Sequence, residues 1–148
     1  MPLDAPAEQI SFTLDGKEVK AAPGESIWQV ALRYGTNIPH LCYAPEPGYR
    51  ADGNCRACMV EIKGERVLSA SCIREPEDGM VVNSESDRAV SARKIVFELL
   101  VADQPPREEA HDEESKFWLW ADSLNVGASR FPRRHSPVPD LTHPAMAV

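Results

Sequence analysis

Residues 38–72 read IPHLCYAPEPGYRADGNCRACMVEIKGERVLSASC and contain all four cysteines of the 148-residue chain. The segment changes character partway along. Residues 36–57 are rich in Pro, Gly, Asn and Asp, with sharp turns required at Pro39, at Pro45-Glu46-Pro47-Gly48 and at Asp52-Gly53-Asn54. From Met59 the pattern MVEIKGERVLSAS predicts a hairpin around Lys63-Gly64. Loops this long inside a compact domain are uncommon, and they are usually functional.

Cys42, Cys55, Cys58 and Cys72 fall at C-x12-C-x2-C-x13-C. Thiolates are soft ligands that select zinc, cuprous copper or iron–sulfur clusters, which makes metal ligation the leading reading of this set. Three readings stand side by side: ordinary buried apolar cysteines, a structural zinc site of four thiolates that serves to bind a partner, and an iron–sulfur site. Zinc ribbons normally present two CxxC pairs and this sequence has one, whereas Gly48, Gly53, Ala51, Asn54 and Ala57 allow backbone N–H groups to approach sulfur, as iron–sulfur ligation favours. A Rieske centre needs two histidines in place of two cysteines, and only His40 is nearby. His40 reads instead as a loop residue bonded to backbone.

On the N-terminal side, ISFTLDGKEVKA predicts two strands joined at Asp15-Gly16. In PGESIWQVALRYG, Ser26 and Gln29 form a capping box, Ile27, Val30, Ala31 and Tyr34 recur at helical spacing, and Gly35 supplies the stop, predicting a helix over 26–34. On the C-terminal side a short strand is expected near 80–83. A helix follows over 87–102, capped by Ser84 or Ser86, with Ala92, Ile95, Val96, Leu99 and Leu100 as its apolar stripe. Pro105-Pro106 ends it. Asp112 is expected to cap a further helix over 113–124, whose Phe117, Trp118 and Trp120 read as core residues, and the acidic run 108–114 as a solvated face.

The composition, 43% hydrophobic and 26% charged, is that of a globular domain and excludes wholesale disorder. The longest apolar stretch, residues 95–102, is broken by Glu98 and too short to span a bilayer. A net charge of −7 argues against nucleic acid as a partner, which needs a clustered basic face. The N-terminus MPLDAPAEQI lacks the basic and apolar regions of a secretory signal, so a cytoplasmic location with reduced thiols is expected. Neither a nucleophile elbow, a P-loop nor a dinucleotide fingerprint is present, and no catalytic residue is assigned.

The cysteine-bearing segment, with its GNCRACMVE string and the position of its fourth cysteine, resembles the [2Fe-2S] ferredoxin-like domain of three related groups. These are the large iron–sulfur subunit of NADH:quinone oxidoreductase, the iron-only hydrogenases, and the alpha subunit of soluble NAD-dependent formate dehydrogenases. The resemblance runs from about Ile10 to Asp103. Beyond it, ELLVADQPPREEAHDEESKFWLWAD and SPVPDLTHPAMAV look most like the formate dehydrogenase alpha subunit. The other two branches usually carry a His-and-three-Cys [4Fe-4S] motif here, and this sequence has no cysteine after Cys72.

The resemblance implies an α+β fold, a β-grasp sheet curled around the helix at 26–34, followed by two helices and an extended C-terminal tail. It implies one [2Fe-2S] cluster, with Cys42 and Cys55 on one iron and Cys58 and Cys72 on the other. The expected role is a one-electron relay between the molybdenum or tungsten pterin site of a formate dehydrogenase and its flavin–NAD subunit. The partners are then the other subunits or domains of that multi-subunit enzyme, with no nucleic acid and no membrane. The same cluster domain in a hydrogenase or quinone oxidoreductase is the alternative owner. The chain divides, on this reading, into a lead-in at 1–8, the cluster domain at 9–84, a helical extension at 85–126 and a Pro- and Arg-containing tail at 127–148, the last helix and tail serving as docking elements. In the family the chemistry at the pterin belongs to later domains, so the resemblance leads to the expectation of an N-terminal fragment, or a separately encoded module, of a much larger subunit.

Overall fold

Asp15 and Gly16 both adopt positive φ, 49° and 80°, as a two-residue type I′ turn requires. They join β1 (Ile10–Leu14) to β2 (Lys17–Ala21) in an antiparallel hairpin with Leu14 opposite Lys17. The computed structural model describes residues 9–133; the expected lead-in at 1–8 and the tail from 134 to 148 lie outside the described residues. Internal contacts divide the chain into two compact units between Val96 and Phe97.

In the first unit β3 (Met59–Ile62), β4 (Ser69–Ala70) and β5 (Val81–Asn83) complete a five-stranded mixed sheet of order β2-β1-β5-β3-β4, with β5 parallel to β1 and antiparallel to β3. Period-two alternation sends Phe12, Leu14, Val19, Ala21, Val60, Ile62 and Val82 into one core. The expected hairpin at Lys63-Gly64 is present, but its return strand is only two residues long. This is the α+β, ferredoxin-like arrangement expected of the sequence.

Helix α1 (Ile27–Arg33) carries the capping box as read: Ser26 Oγ accepts from the Gln29 N–H at 3.3 Å, and Gln29 Oε1 accepts from the Ser26 N–H at 2.9 Å. Its buried face is Ile27, Trp28, Val30 and Ala31. Tyr34, expected on that face, is instead about half exposed as the C-cap residue, and Trp28 takes the buried place. The indole is held there because its Nε1–H donates to the Ile38 carbonyl at 2.9 Å.

Helix α2 spans Asp87–Ala102, with Ser86 Oγ accepting from the Ala89 N–H at 3.2 Å. Its buried line is Ala89, Arg93, Phe97 and Val101, not the stripe anticipated; Ile95 and Leu99 are 41% and 48% exposed. A count of apolar residues skips Arg93. Its aliphatic stem nevertheless fills a core position while the guanidinium donates to Glu85 at 3.2 Å and to the Met59 carbonyl at 3.4 Å.

In the second unit Phe97 stacks on Phe117 at 5.7 Å, and Phe117 meets Trp118 edge-on at 5.0 Å. Arg107, in a short 3-10 turn (Arg107–Glu109), bonds Asp122 at 2.7 Å and lies over the Trp118 ring. Helix α3 covers Lys116–Ser123 and buries Trp118 and Ala121; of the three aromatic residues expected in the core only Trp118 is buried, while Phe117 and Trp120 are half-buried. It begins later than expected, with Ser115 as N-cap in place of Asp112. The Asp112 carboxylate accepts from the Glu114 N–H at 2.9 Å, and its carbonyl accepts from the Ser115 N–H, making a turn ahead of the helix. Residues 127–133 form no regular element, as read, but Arg130 pairs with Glu98 at 2.6 Å and Arg133 donates to the Gln104 carbonyl.

Candidate metal centre

The long loop after α1 carries Cys42 and Cys55; Cys58 ends it immediately before β3, and Cys72 sits in the turn after β4. The hairpin register Met59–Ala70 therefore brings Cys58 and Cys72 to the same end of the β3–β4 ladder. That turn is fastened to α1. The Ile27 N–H donates to the Arg74 carbonyl at 2.8 Å and the Trp28 N–H to the Ser71 carbonyl at 3.0 Å. Two first-turn N–H groups, which no helix can satisfy internally, thus hold the Cys72 turn in place.

All four cysteines are free thiols, and they are graded in exposure: Cys42 exposed, Cys55 intermediate, Cys58 and Cys72 buried. The Cys42 N–H donates to Cys55 Sγ, the Cys55 N–H to Cys42 Sγ and the Ala57 N–H to Cys55 Sγ, each at 3.5 Å. Arg56, between the two cysteines of the CxxC pair, takes φ 60°. Gly53 takes φ 66°, and the space a Cβ would need there is occupied by Ile73 Cδ1 at 2.6 Å.

The thiols perturb one another. Hydrogen bonding from the Cys72 thiol, with help from its backbone and from Ser71, outweighs burial and brings Cys58 down to about 6. Its partner Cys72 is pushed far up by Cys58, by burial and by the charge of all three other cysteines. Burial opposes but does not overcome the Cys55 and Asn54 contacts that lower Cys42. Burial does prevail at Cys55, raising it against the N–H groups of Ala57, Cys42 and Leu41. Four neighbouring thiols with backbone N–H donors aimed at sulfur form a soft, anion-stabilising set, and this chemistry fits a thiolate-ligated iron–sulfur group.

His40 is bonded to backbone as read, its Nδ1 at 3.4 Å from the Ile38 carbonyl, with its ring edge-on to Trp28 at 4.6 Å. Tyr43 meets Trp28 at 5.1 Å and accepts from Gln29 Nε2 at 3.3 Å. A cleft of about 330 Å³ opens beside Cys72, lined by Ser26, Gln29, Tyr43, Tyr49 and Ile73 among others. The sequence reading missed Ser71. Its side chain is completely buried, and its Oγ donates to the Cys58 carbonyl at 2.7 Å.

Residues 7–87 match the model of a family described as a 2Fe-2S iron–sulfur cluster binding domain. The chain is 34% identical over 122 residues to the NADH-ubiquinone oxidoreductase 78 kDa subunit, mitochondrial, of Candida albicans, covering 82% of this chain and 17% of that protein. It is 36% identical over 99 residues to the NADP-reducing hydrogenase subunit HndD of Solidesulfovibrio fructosivorans, covering 65% and 17%. Among solved structures, a chain of an NAD+-reducing [NiFe]-hydrogenase in the H2-reduced state superposes with TM-score 0.78 at 31% identity, covering 91% of this chain and 57% of that one. The chain thus spans under a fifth of the length of these two curated relatives. No helix among the described residues is long and apolar enough to cross a membrane.

Proposed function

This chain belongs to the 2Fe-2S iron–sulfur cluster binding domain family, and from that membership we propose that Cys42, Cys55, Cys58 and Cys72 hold its cluster and that the chain relays single electrons within a larger oxidoreductase. The observation that carries the ligand assignment is the placement of four free thiols in one N–H-rich loop and turn, Cys42 and Cys55 exchanging N–H···S bonds and Cys58 and Cys72 brought to one end of the β3–β4 ladder. When bound, the cluster supplies reversible one-electron storage.

The residues of the chain supply the rest. Cys58 and Cys72 anchor the buried side through β3 and the α1-tethered turn, while Cys42 and Cys55 occupy the side nearer solvent, where a partner's redox centre can approach. The N–H groups of Cys42, Cys55 and Ala57 stabilise negative charge on sulfur. On the resemblance, Cys42 and Cys55 would hold one iron of the bound cluster and Cys58 and Cys72 the other.

The finer proposal is that the relay serves an NAD-dependent formate dehydrogenase, passing electrons between its pterin site and its flavin–NAD subunit in the cytoplasm. Its support is the resemblance of residues 98–122 and 136–148 to that alpha subunit, and the lack of any cysteine after Cys72 in the sequence. The relatives favour a second owner, since the curated matches are named as subunits of quinone-reducing and hydrogenase complexes. Helix α3 and the arginine-bearing tail are proposed as the elements that dock those partners.

A visible spectrum of anaerobically purified protein before and after dithionite tests the relay. A brown sample that bleaches, with about two irons and two sulfides per chain, is the expected result. A colourless sample containing about one zinc per chain makes the module structural and overturns it. The identity of the proteins that co-purify with the chain from its source then separates a formate dehydrogenase from a hydrogenase or quinone reductase.

A further inference from the structure

Among the described residues the buried polar side chains are Ser26, Ser71, Ser84 and Arg93, and of these only Ser71 bonds to one of the four cysteines. Ser71 makes three tethers at once. Its Oγ donates to the Cys58 carbonyl oxygen at 2.7 Å, its N–H donates to the same oxygen at 3.2 Å, and its own carbonyl accepts from the Trp28 N–H at 3.0 Å. It also directly precedes Cys72 in the chain. One residue therefore joins the two buried cysteines to the first turn of α1.

We propose that the Ser71 hydroxyl is a positioning residue that raises the reduction potential of the cluster, acting through the Cys58 peptide. The inference rests on the ligand assignment above. The Cys58 carbonyl is the negative end of a dipole attached to a buried ligand, and two donors from Ser71 offset it. Both cysteines on this side are 4% exposed or less, so little water competes and the dipoles act at low dielectric. Reduction adds one electron and hence one negative charge, with no bond made or broken in the chain. A buried O–H whose positive end lies toward Cys58 favours the form carrying that extra charge.

The sequence signal is slight, because a serine beside a cysteine reads as a small turn residue. Only complete burial distinguishes it: a hydroxyl with no access to water must hold a fixed partner, and here the partner is a ligand's own carbonyl.

The test is a redox titration of the full chain with dithionite, monitored by visible absorbance and by electron paramagnetic resonance of the reduced form. Ser71→Ala is expected to retain the wild-type cluster content and to disfavour reduction several-fold to about tenfold, a drop of up to about 59 mV for a one-electron couple. A Ser71→Ala protein with full cluster content and the wild-type potential overturns the proposal and leaves the relay standing. A wild-type protein with no iron overturns the relay itself. If the alanine variant does not hold a cluster, Ser71→Thr and Ser71→Val supply the comparison, being nearly the same shape and differing in the hydroxyl. Threonine near the wild-type potential with valine lowered supports the role. Equal potentials in the two overturn it.

Discussion

Ser84 is bound to Asp15 by two hydrogen bonds of 2.7 Å, its backbone N–H donating to one carboxylate oxygen and its hydroxyl to the other. The residues are 69 apart in sequence, and Ser84 is completely buried where β5 gives way to α2. Asp15 is thus more than a turn former. It extends the β1–β5 pairing, in which the Asp15 N–H also donates to the Val82 carbonyl at 2.9 Å. Asp15→Ala leaves two buried donors unpaired and places alanine at positive φ, for an expected loss of about 2–4 kcal/mol. Asp15→Asn keeps one acceptor and is expected to lose less. Urea unfolding monitored by far-ultraviolet circular dichroism measures both; a loss below about 0.5 kcal/mol for alanine shows that the pair does not hold the sheet to α2.

The four cysteines are expected to divide by burial when replaced singly with serine. Cys58→Ser and Cys72→Ser replace the thiols at the buried side, where little water competes, and are expected to abolish the visible absorbance. Cys42→Ser lies at the exposed side and is expected to leave a partly assembled, more easily bleached cluster. Absorbance and iron per chain are the readouts. A Cys58→Ser protein with unchanged absorbance removes that residue from the ligand set.

Arg93 is 2% exposed while its partner Glu85 is 69% exposed, and Arg93 Nε has no hydrogen-bond partner among the described residues. A buried cation held on one side by a solvated carboxylate gains little net stability, since desolvation offsets attraction. Arg93→Met, close in volume, is expected to change stability by less than about 1 kcal/mol or to increase it. Arg93→Ala leaves a void against the sheet and is expected to cost about 2–4 kcal/mol. Equal losses for the two variants show that the charge, and not the volume of the stem, is what the site requires.

Arg93 also marks the boundary of what the sequence could convey. Elements whose cause is local were legible: the Asp15-Gly16 turn, the Ser26–Gln29 capping box and the extent of α2 all follow from neighbouring residues. The cysteine-bearing loop was legible too, because its turns follow from its own Pro, Gly, Asn and Asp residues. Features set by distant partners were not. The buried line of α2 runs through a charged residue whose place is decided by Glu85 and the Met59 carbonyl. The start of α3 shifts because Asp112 has a nearer N–H to satisfy, and Ser71 acquires its role only when the β3–β4 register sets it against Cys58.

Acid should weaken the start of α1 slightly and in a defined direction. Burial works against it, but the Ala22 N–H and the Arg33 guanidinium, 2.8 Å away, keep the Glu25 carboxyl below its usual range. A carboxylate whose folded pKa is lowered contributes stability above its unfolded pKa of about 4.3, and that contribution is lost as pH falls through the lower folded value. Arg33 is half exposed, so solvent screening limits the pair to about 0.5 kcal/mol. Glu25→Gln should lose about that much at neutral pH and flatten the stability curve below about pH 4.3. Identical curves for variant and wild type in that window exclude the contribution.

Gly53 and Ile73 join the loop that carries Cys55 to the turn that carries Cys72. A Cβ on Gly53 meets Ile73 Cδ1 at 2.6 Å and Cγ1 at 3.2 Å, and the backbone there has φ 66°. These are two separate penalties. Ile73 is 48% exposed and its end can swing aside, which makes the contact a small penalty. Positive φ cannot be relieved without moving the loop, and it costs a non-glycine residue about 1–2 kcal/mol. Gly53→Ala is therefore expected to lose about 1–2 kcal/mol and to release iron to a chelator faster than the wild type. Adding Ile73→Ala should recover only the contact share and leave most of the loss in place. Full recovery in the double variant assigns the whole effect to crowding at Ile73, and the backbone of the cysteine loop is then free of the constraint that the positive φ implies.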